Sequence, residues 1–167
     1  MAWGKAGSTT LATSGDDLDI TSMTASTFNQ FLIHALDTGG TMNTIYNYNN
    51  NANSVYADRF SSNGGADGTN TSNTAMFSYT STDASDKFNV MYTFSISGEE
   101  KLTIISTMSE TAAGAGTAPS RLEFVGKFVP SPDADITRID TNNTGSGSFD
   151  TSSNISVLGS DITPAAA

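Results

Sequence analysis

The stretch KFNVMYTFSI, residues 87–96, decides the fold class. Large apolar side chains occupy every second position of it, namely Phe88, Val90, Tyr92, Phe94 and Ile96. Successive side chains of a β-strand point to opposite faces of a sheet, whereas a helical face repeats every 3.6 residues, so this alternation predicts a strand. A turn over Gly98–Lys101 and a second apolar run, Leu102–Ile105, extend the prediction to a hairpin.

Further apolar runs bounded by turn residues surround this hairpin. Asn49–Asn53 separates Tyr46 and Tyr48 from the run that begins at Val55, which is typical of a hairpin because Asn tolerates positive φ. Short strands are also expected in two places within the first twenty residues and at 76–79, 121–129, 136–139 and 155–158. Some eight to ten evenly spaced strands predict an all-β, single-domain β-sandwich or jelly-roll-like fold over residues 1–167. Extended N-terminal (1–14) and C-terminal (162–167) segments are expected to make contacts with other proteins.

The period of the segment from Thr24 to Gly40 is ambiguous. A short helix near residues 26–37 would place several apolar residues on one face, namely Phe28, Phe31, Leu32, Ala35 and Leu36. The nearly continuous run Phe31–Leu36 is equally typical of a strand buried inside a sandwich. Both interpretations stand on the sequence alone.

Composition and charge exclude several classes of function. Seven Lys and Arg against seventeen Asp and Glu give a net charge of −10 and a sequence pI of about 4.1. Such a protein repels nucleic-acid phosphates and anionic lipid headgroups, so neither nucleic acid nor membrane is an expected partner. The chain has no cysteine, which excludes disulfides, thiolate nucleophiles and Cys-ligated zinc. Neither a signal peptide nor an apolar run of about 20 residues is recognisable, which predicts a protein that is made soluble and stays soluble.

No catalytic or cofactor motif stands out. His34 is the only histidine, and within its apolar run a core or interface imidazole is the more common role than a catalytic base. Nucleophile elbow, Walker and zinc-protease motifs are absent from the sequence. The prediction is therefore a protein that is not an enzyme and has no cofactor, with a polysaccharide-processing enzyme as the weakest alternative.

Two groups of residues suggest ligand binding. Asp16, Asp17 and Asp19 in one turn, and Asp133 with Asp135 in another, are oxygen ligands of the kind that suits Ca²⁺, although Asp is also a common turn residue and no metal site is predicted. A surface formed by Tyr46, Tyr48, Tyr56 and Asn50 could stack on sugar rings and pair with hydroxyls. The alternative for these tyrosines is a hairpin whose aromatic rings pack inward.

Eight segments of the chain are distinctive as a set. They are MAWGK (1–5), TTLATSGDD (9–17), VYADRFSSNGGAD (55–67), EEKL (99–102), TAAGAGTAPSR (111–121), ITRID (136–140), GSGSFD (145–150) and VLGSD (157–161). Together they resemble the short virion proteins of marine tailed phages, which occur as capsid-surface and fibre-type proteins. The resemblance implies a compact β-sandwich on the outside of a virion, made in the host bacterial cytoplasm, and it favours a strand at Phe28–Leu36. It supplies no catalytic residues.

Two functional hypotheses follow from the resemblance and the acidity. The first is a decoration, or cement, protein on the outer capsid surface that binds the major capsid protein and copies of itself as a homo-oligomer, with a trimer favoured. Its expected contact residues are Trp3, Ile162, Pro164 and Ala167. The alternative is a fibre or tail module that recognises a host glycan through the tyrosine surface.

Overall fold

The computed structural model describes residues 3–80, 85–110 and 114–160, and the regular elements in these ranges are all β-strands. All pairs of neighbouring strands are antiparallel. The all-β fold predicted from the alternating pattern is confirmed. The strands are β1 (Trp3–Thr10), β2 (Phe28–Ala35), β3 (Asn43–Tyr48), β4 (Tyr56–Ser62), β5 (Gly68–Asn73), β6 (Met76–Thr80), β7 (Lys87–Phe94), β8 (Lys101–Ser109), β9 (Ser120–Phe128), β10 (Ile139–Asn143) and β11 (Asn154–Ser160).

The strands form two layers of unequal size. The larger sheet has eight strands in the order β1-β11-β2-β7-β8-β9-β4-β5, and the smaller has three in the order β10-β3-β6. β7, which contains most of the deciding stretch, lies between β2 and β8, with Tyr92 opposite both Gln30 and Ile104. The two sheets pack as a β-sandwich, as predicted.

The hydrophobic core lies between the two sheets and receives side chains from both. Tyr48 of the small sheet packs its ring 6.1 Å from that of Phe31 and 5.7 Å from that of Phe128, measured between centroids. Phe128 in turn stacks on Tyr56 at 4.9 Å. Aromatic pairs of this kind contribute about 0.5–1.5 kcal/mol each beyond the area that they bury, so this cluster joins the two layers.

The helical alternative for residues 26–37 is wrong, because Phe28–Ala35 forms β2. This strand pairs with β11 on one side and with β7 on the other, which satisfies its backbone groups along both edges. Pairing with strands distant in the sequence therefore overrides the local helical period. In the described ranges, no helix is long and apolar enough to cross a membrane.

The N-terminal segment is part of the large sheet. Trp3–Thr10 pairs with β11 as an edge strand, whereas the second strand expected in the first twenty residues is reduced to isolated bridges at Gly15, Asp17 and Ile20. The predicted contact residues Ile162, Pro164 and Ala167 lie outside the described residues.

Candidate functional site

The candidate site is the face of the large sheet that points away from the small sheet, called here the outer face. On β7, Phe88 and Tyr92 lie on the outer face and are 39% and 51% exposed. The alternate residues of the strand point into the sandwich, where Lys87, Asn89 and Thr93 are buried. The deciding stretch thus forms the predicted strand but turns its apolar side outward.

β8 repeats this inverted pattern. Leu102, Ile104 and Met108 lie on the outer face and are 44–56% exposed, while Lys101 and Thr107 are buried on the inner side. Apolar residues are normally the buried half of an alternating strand in a soluble protein. Two adjacent central strands with the opposite arrangement leave an apolar surface exposed on the outer face.

The register of the sheet brings the exposed apolar residues together. Ile104 of β8 lies opposite Tyr92 on one side and Val125 of β9 on the other, so these three side chains form one row across the outer face. Phe88 and Met108 form a second pair toward the other end of the same strands. The apolar surface therefore extends along the strands as well as across them.

A groove of about 820 Å³ lies on the outer face and is lined by residues of seven strands. Trp3 of β1 and Thr69 of β5, from the two edge strands, both line it. A flat eight-stranded sheet would hold its edge strands about 33 Å apart, so the sheet is curved and its outer face is concave. The floor contains Phe28, Tyr92 and other apolar side chains, and the Gln30 Nε2 donates to the Tyr92 Oη at 3.1 Å.

Three ion pairs lie around the outer face. Arg59 pairs with Asp67 at 3.1 Å, Arg121 with Glu123 at 3.7 Å, and Lys127 with Glu100 at 3.0 Å. These pairs place three cations at this face of a chain whose net charge is −10.

The polar inner side of β8 is stabilised by a buried lysine. The Lys101 Nζ donates to Asp133 Oδ1 at 2.7 Å and to the carbonyl oxygens of Ile96 and Glu99 at 2.6 and 2.9 Å. Hydrogen bonds from the Gly98 amide and from Lys101 hold the pKa of Asp133 below its usual value of 3.8. These bonds hold Lys101 inside the sheet and leave its neighbours Leu102 and Ile104 facing outward.

The proposed sugar-binding tyrosine surface is wrong, because Tyr46, Tyr48 and Tyr56 are buried in the core. The Tyr48 Oη lies 2.6 Å from the Thr93 Oγ1, and burial raises the pKa of Tyr48 to about 12. Of the predicted group only Asn50 is exposed, and its backbone N–H donates to the Asp140 carboxylate at 2.9 Å. The rings therefore pack inward, as the alternative interpretation predicted, but its hairpin is wrong, because β3 belongs to the small sheet and β4, which carries Tyr56, belongs to the large sheet.

The two remaining candidate residues that the structure describes, His34 and Trp3, are both exposed. His34 is exposed on β2 and lies opposite Phe88, so it is not in the core. Trp3 is 49% exposed at the start of β1 and lines the groove, so it is the one predicted contact residue that the structure places at the site.

Three of the five aspartates considered as calcium ligands, namely Asp17, Asp19 and Asp133, have protein partners for their carboxylates. Asp19 accepts from the Thr141 amide at 3.0 Å and from Arg138 at 3.2 Å, and Asp17 accepts from the Asn142 side chain at 2.6 Å. Burial raises the pKa of Asp19. Across residues 3–80, 85–110 and 114–160, no three His, Asp or Glu residues are grouped so that they could hold a metal ion.

The residues that form the outer face were not recognised from the sequence. The sequence predicts that Tyr92, Leu102, Ile104 and Val125 lie in strands, but the alternation does not tell which side of a strand is covered by the second sheet. The one available signal was Lys87 and Lys101, which lie in the same alternating phase as the buried residues.

Comparisons with known proteins give no relative from which a function can be transferred. No protein-family model matches the chain, and neither a curated protein nor a solved structure matches it significantly.

One carboxylate beside the groove provides a pH test of the structure. Asp58 of β4 is buried and accepts from Asn70 Nδ2 at 2.8 Å, and desolvation raises its pKa. The folded state therefore binds the proton of the Asp58 carboxyl group more tightly than the unfolded chain, in which the pKa is 3.8. Because of this difference, the contribution of Asp58 to the stability of the fold rises as the pH falls through the raised pKa.

Asp58→Asn removes that titration. The variant is expected to gain stability relative to the wild type at neutral pH, and this difference is expected to shrink as the pH falls toward 3.8. Urea unfolding of both proteins over this pH range measures it. A difference that is constant with pH would contradict the buried, ionised carboxylate.

Proposed function

We propose that the protein is a structural protein of the outer surface of a tailed-phage virion, where it decorates the capsid and stabilises the shell. In this role it binds the major capsid protein and copies of itself. The observation that carries the proposal is the outer face, where Tyr92, Leu102, Ile104 and Val125 are each about half exposed. Apolar surface of this extent on one face of a sheet is a mark of protein–protein contact.

Charge and chemistry favour the outside of a particle. Packaged DNA repels a protein of net charge −10, so the inner wall of a capsid is an unfavourable position. A decoration protein needs no catalytic group, because many weak contacts over a closed lattice add up to resistance against internal pressure. The resemblance of the sequence to virion proteins of marine phages points to the same class.

The alternative, a fibre or tail module that binds host glycan, lacks the tyrosine surface on which it was based. Two exposed aromatic residues, Trp3 and Tyr92, line the groove. The floor of that groove is mainly apolar, whereas sugar recognition needs polar partners for the hydroxyl groups. We therefore favour the capsid role.

Copy number in purified particles tests the proposal. Quantitative mass spectrometry against the major capsid protein is expected to find the two proteins in comparable numbers. A few to a few tens of copies would place the protein in a fibre or tail and would overturn the decoration role.

Trp3→Ala is expected to weaken attachment to particles stripped of this protein by about 30-fold, since a half-exposed Trp is a typical interface anchor worth about 2 kcal/mol. Binding is measured by co-sedimentation with the stripped particles. Trp3→Phe is the matched control and should retain most of the affinity. Equal binding by Trp3→Ala and wild type would exclude Trp3 as a contact residue.

A further inference from the structure

We propose that a second copy of this chain covers the outer face, and that the copies associate head to tail in a closed ring of three or more. The inference rests on the proposed function, because it names the partner that occupies the face on which that function depends.

The first argument is area. With about 200 Å² for a large side chain and the exposed fractions of these residues, the apolar part of the outer face amounts to on the order of 700 Å². A stable interface buries about 800 Å² on each partner, and a typical monomer exposes a largest patch of only about 300–600 Å². The residues counted are Trp3, Phe88, Tyr92, Leu102, Ile104, Met108 and Val125.

The second argument is the inverted pattern of the central strands. Lys101 and Thr103 are buried while Leu102 and Ile104 on the same strand are exposed. A strand of this kind buries its apolar side only when another protein layer covers it, as in obligate oligomers, whose interfaces resemble a core cut in half. A small apolar ligand in the groove would leave Phe88 and Met108 uncovered, because neither residue lines the groove.

The third argument is shape. Both edge strands contribute to the groove, so the outer face is concave. Two concave surfaces are not complementary to each other, which excludes packing of two outer faces about a two-fold axis. The partner copy must therefore present a different, convex surface. Such heterologous contacts form a ring when the rotation between copies closes, and the smallest such ring is a trimer.

The fourth argument is charge. Arg59, Arg121 and Lys127 lie around the outer face with 42–60% of their side chains exposed. The chain as a whole carries a net charge of −10. Two acidic surfaces repel each other, whereas an acidic surface is accepted by a face that presents exposed cations. Head-to-tail contact is thus the electrostatically favoured arrangement between copies.

Light scattering coupled to size-exclusion chromatography tests the inference on the purified full chain. The wild type is expected to form a discrete species of at least three copies. Ile104→Glu places a carboxylate at the centre of the outer face and is expected to raise the dissociation constant by on the order of 100-fold. Ile104→Val keeps the site apolar and is the matched control, expected to stay assembled.

Circular dichroism and urea unfolding of the dissociated Ile104→Glu protein establish that it is folded, and Val125→Glu serves as a second variant if it is not. A wild-type monomer would overturn the inference, and so would a dimer, because the proposal excludes a two-fold contact. A monomer whose tyrosine fluorescence changes on addition of a fatty acid would assign the groove to a small apolar ligand instead. None of these results depends on the capsid, so occupancy on particles tests the proposed function separately.

Discussion

Lys101→Ala is expected to lower the free energy of unfolding by about 3 kcal/mol. The side chain is fully buried, and its ammonium group donates to two carbonyl oxygens and to Asp133. The substitution removes the buried stem and leaves the carbonyl oxygens of Ile96 and Glu99 without this donor. Urea unfolding at a fixed protein concentration measures the loss, since assembly would otherwise change the apparent stability.

The control for Lys101 is the exposed lysine of the next strand. Lys127→Ala also removes an ion pair, with Glu100 at 3.0 Å, but both side chains of that pair are nearly half exposed. Exposed pairs contribute about 0–1 kcal/mol, so the control is expected to change stability by no more than about 0.5 kcal/mol. Equal effects of the two substitutions would show that Lys101 is not buried.

The ion pair between Lys101 and Asp133 predicts that stability at acid pH differs between the wild type and Lys101→Ala. The pKa of Asp133 is lower in the folded state than its usual value of 3.8, so its contribution is complete above that pH and is lost as the pH falls through the lowered pKa. Lys101→Ala removes part of the cause of that shift. The variant is therefore expected to lose less stability than the wild type below pH 3.8.

The strands of the large sheet could be predicted from the sequence because their signal is local. The alternation in residues 87–96 and the turn after it specify β7 and β8 without knowledge of the rest of the chain. β2 was ambiguous because a short apolar run fits two periods, and only its pairing with β7 and β11 decides between them.

The side of the sheet that is buried could not be predicted, because it depends on residues far away in the sequence. Lys87 donates to the carbonyl oxygen of Met42, and Lys101 pairs with Asp133 from the segment after β9. Without these partners, burial of the two lysines would be strongly unfavourable. The sequence alone therefore predicts that the apolar residues that alternate with the lysines point into the core. Both phases also contain apolar residues, such as Met91 and Ile105, so composition does not separate the faces.

For Tyr46 and Tyr48 too, the side of the strand that is buried could not be predicted from the sequence. An Asn-rich turn between aromatic runs predicts a hairpin, but β3 and β4 belong to different sheets, and the large sheet that packs on β3 decides which side of β3 is buried. Tyr56 adds a contact that sequence patterns do not specify, since its hydroxyl donates to the Asn51 carbonyl at 2.9 Å and accepts from the Tyr48 amide at 2.9 Å. The hydroxyl of Tyr56 thus fixes the start of the Asn-rich turn at residues 48–51.

Tyr48→Ala is expected to lower the free energy of unfolding by about 4 kcal/mol, because it empties the aromatic centre of the core between Phe31 and Phe128. Tyr48→Phe keeps the ring and removes only the hydroxyl, which lies 2.6 Å from Thr93 Oγ1 and 3.1 Å from Thr103 Oγ1. The two threonine hydroxyls lie 3.0 Å apart and keep each other as partners, so this loss is expected to be about 1 kcal/mol.

Alkaline pH separates this buried role from a surface role. The unfolded chain ionises Tyr48 near its usual pKa of 10.0, whereas the folded state raises that pKa to about 12, so stability falls as the pH rises above 10.0. Tyr48→Phe removes this contribution and is expected to lose less stability than the wild type over that range. Tyr92→Phe, which makes the same change at a half-exposed site, is expected to follow the wild type. If Tyr48 instead lay on a sugar-binding surface, both variants would show the wild-type pH dependence, and only glycan binding would distinguish them.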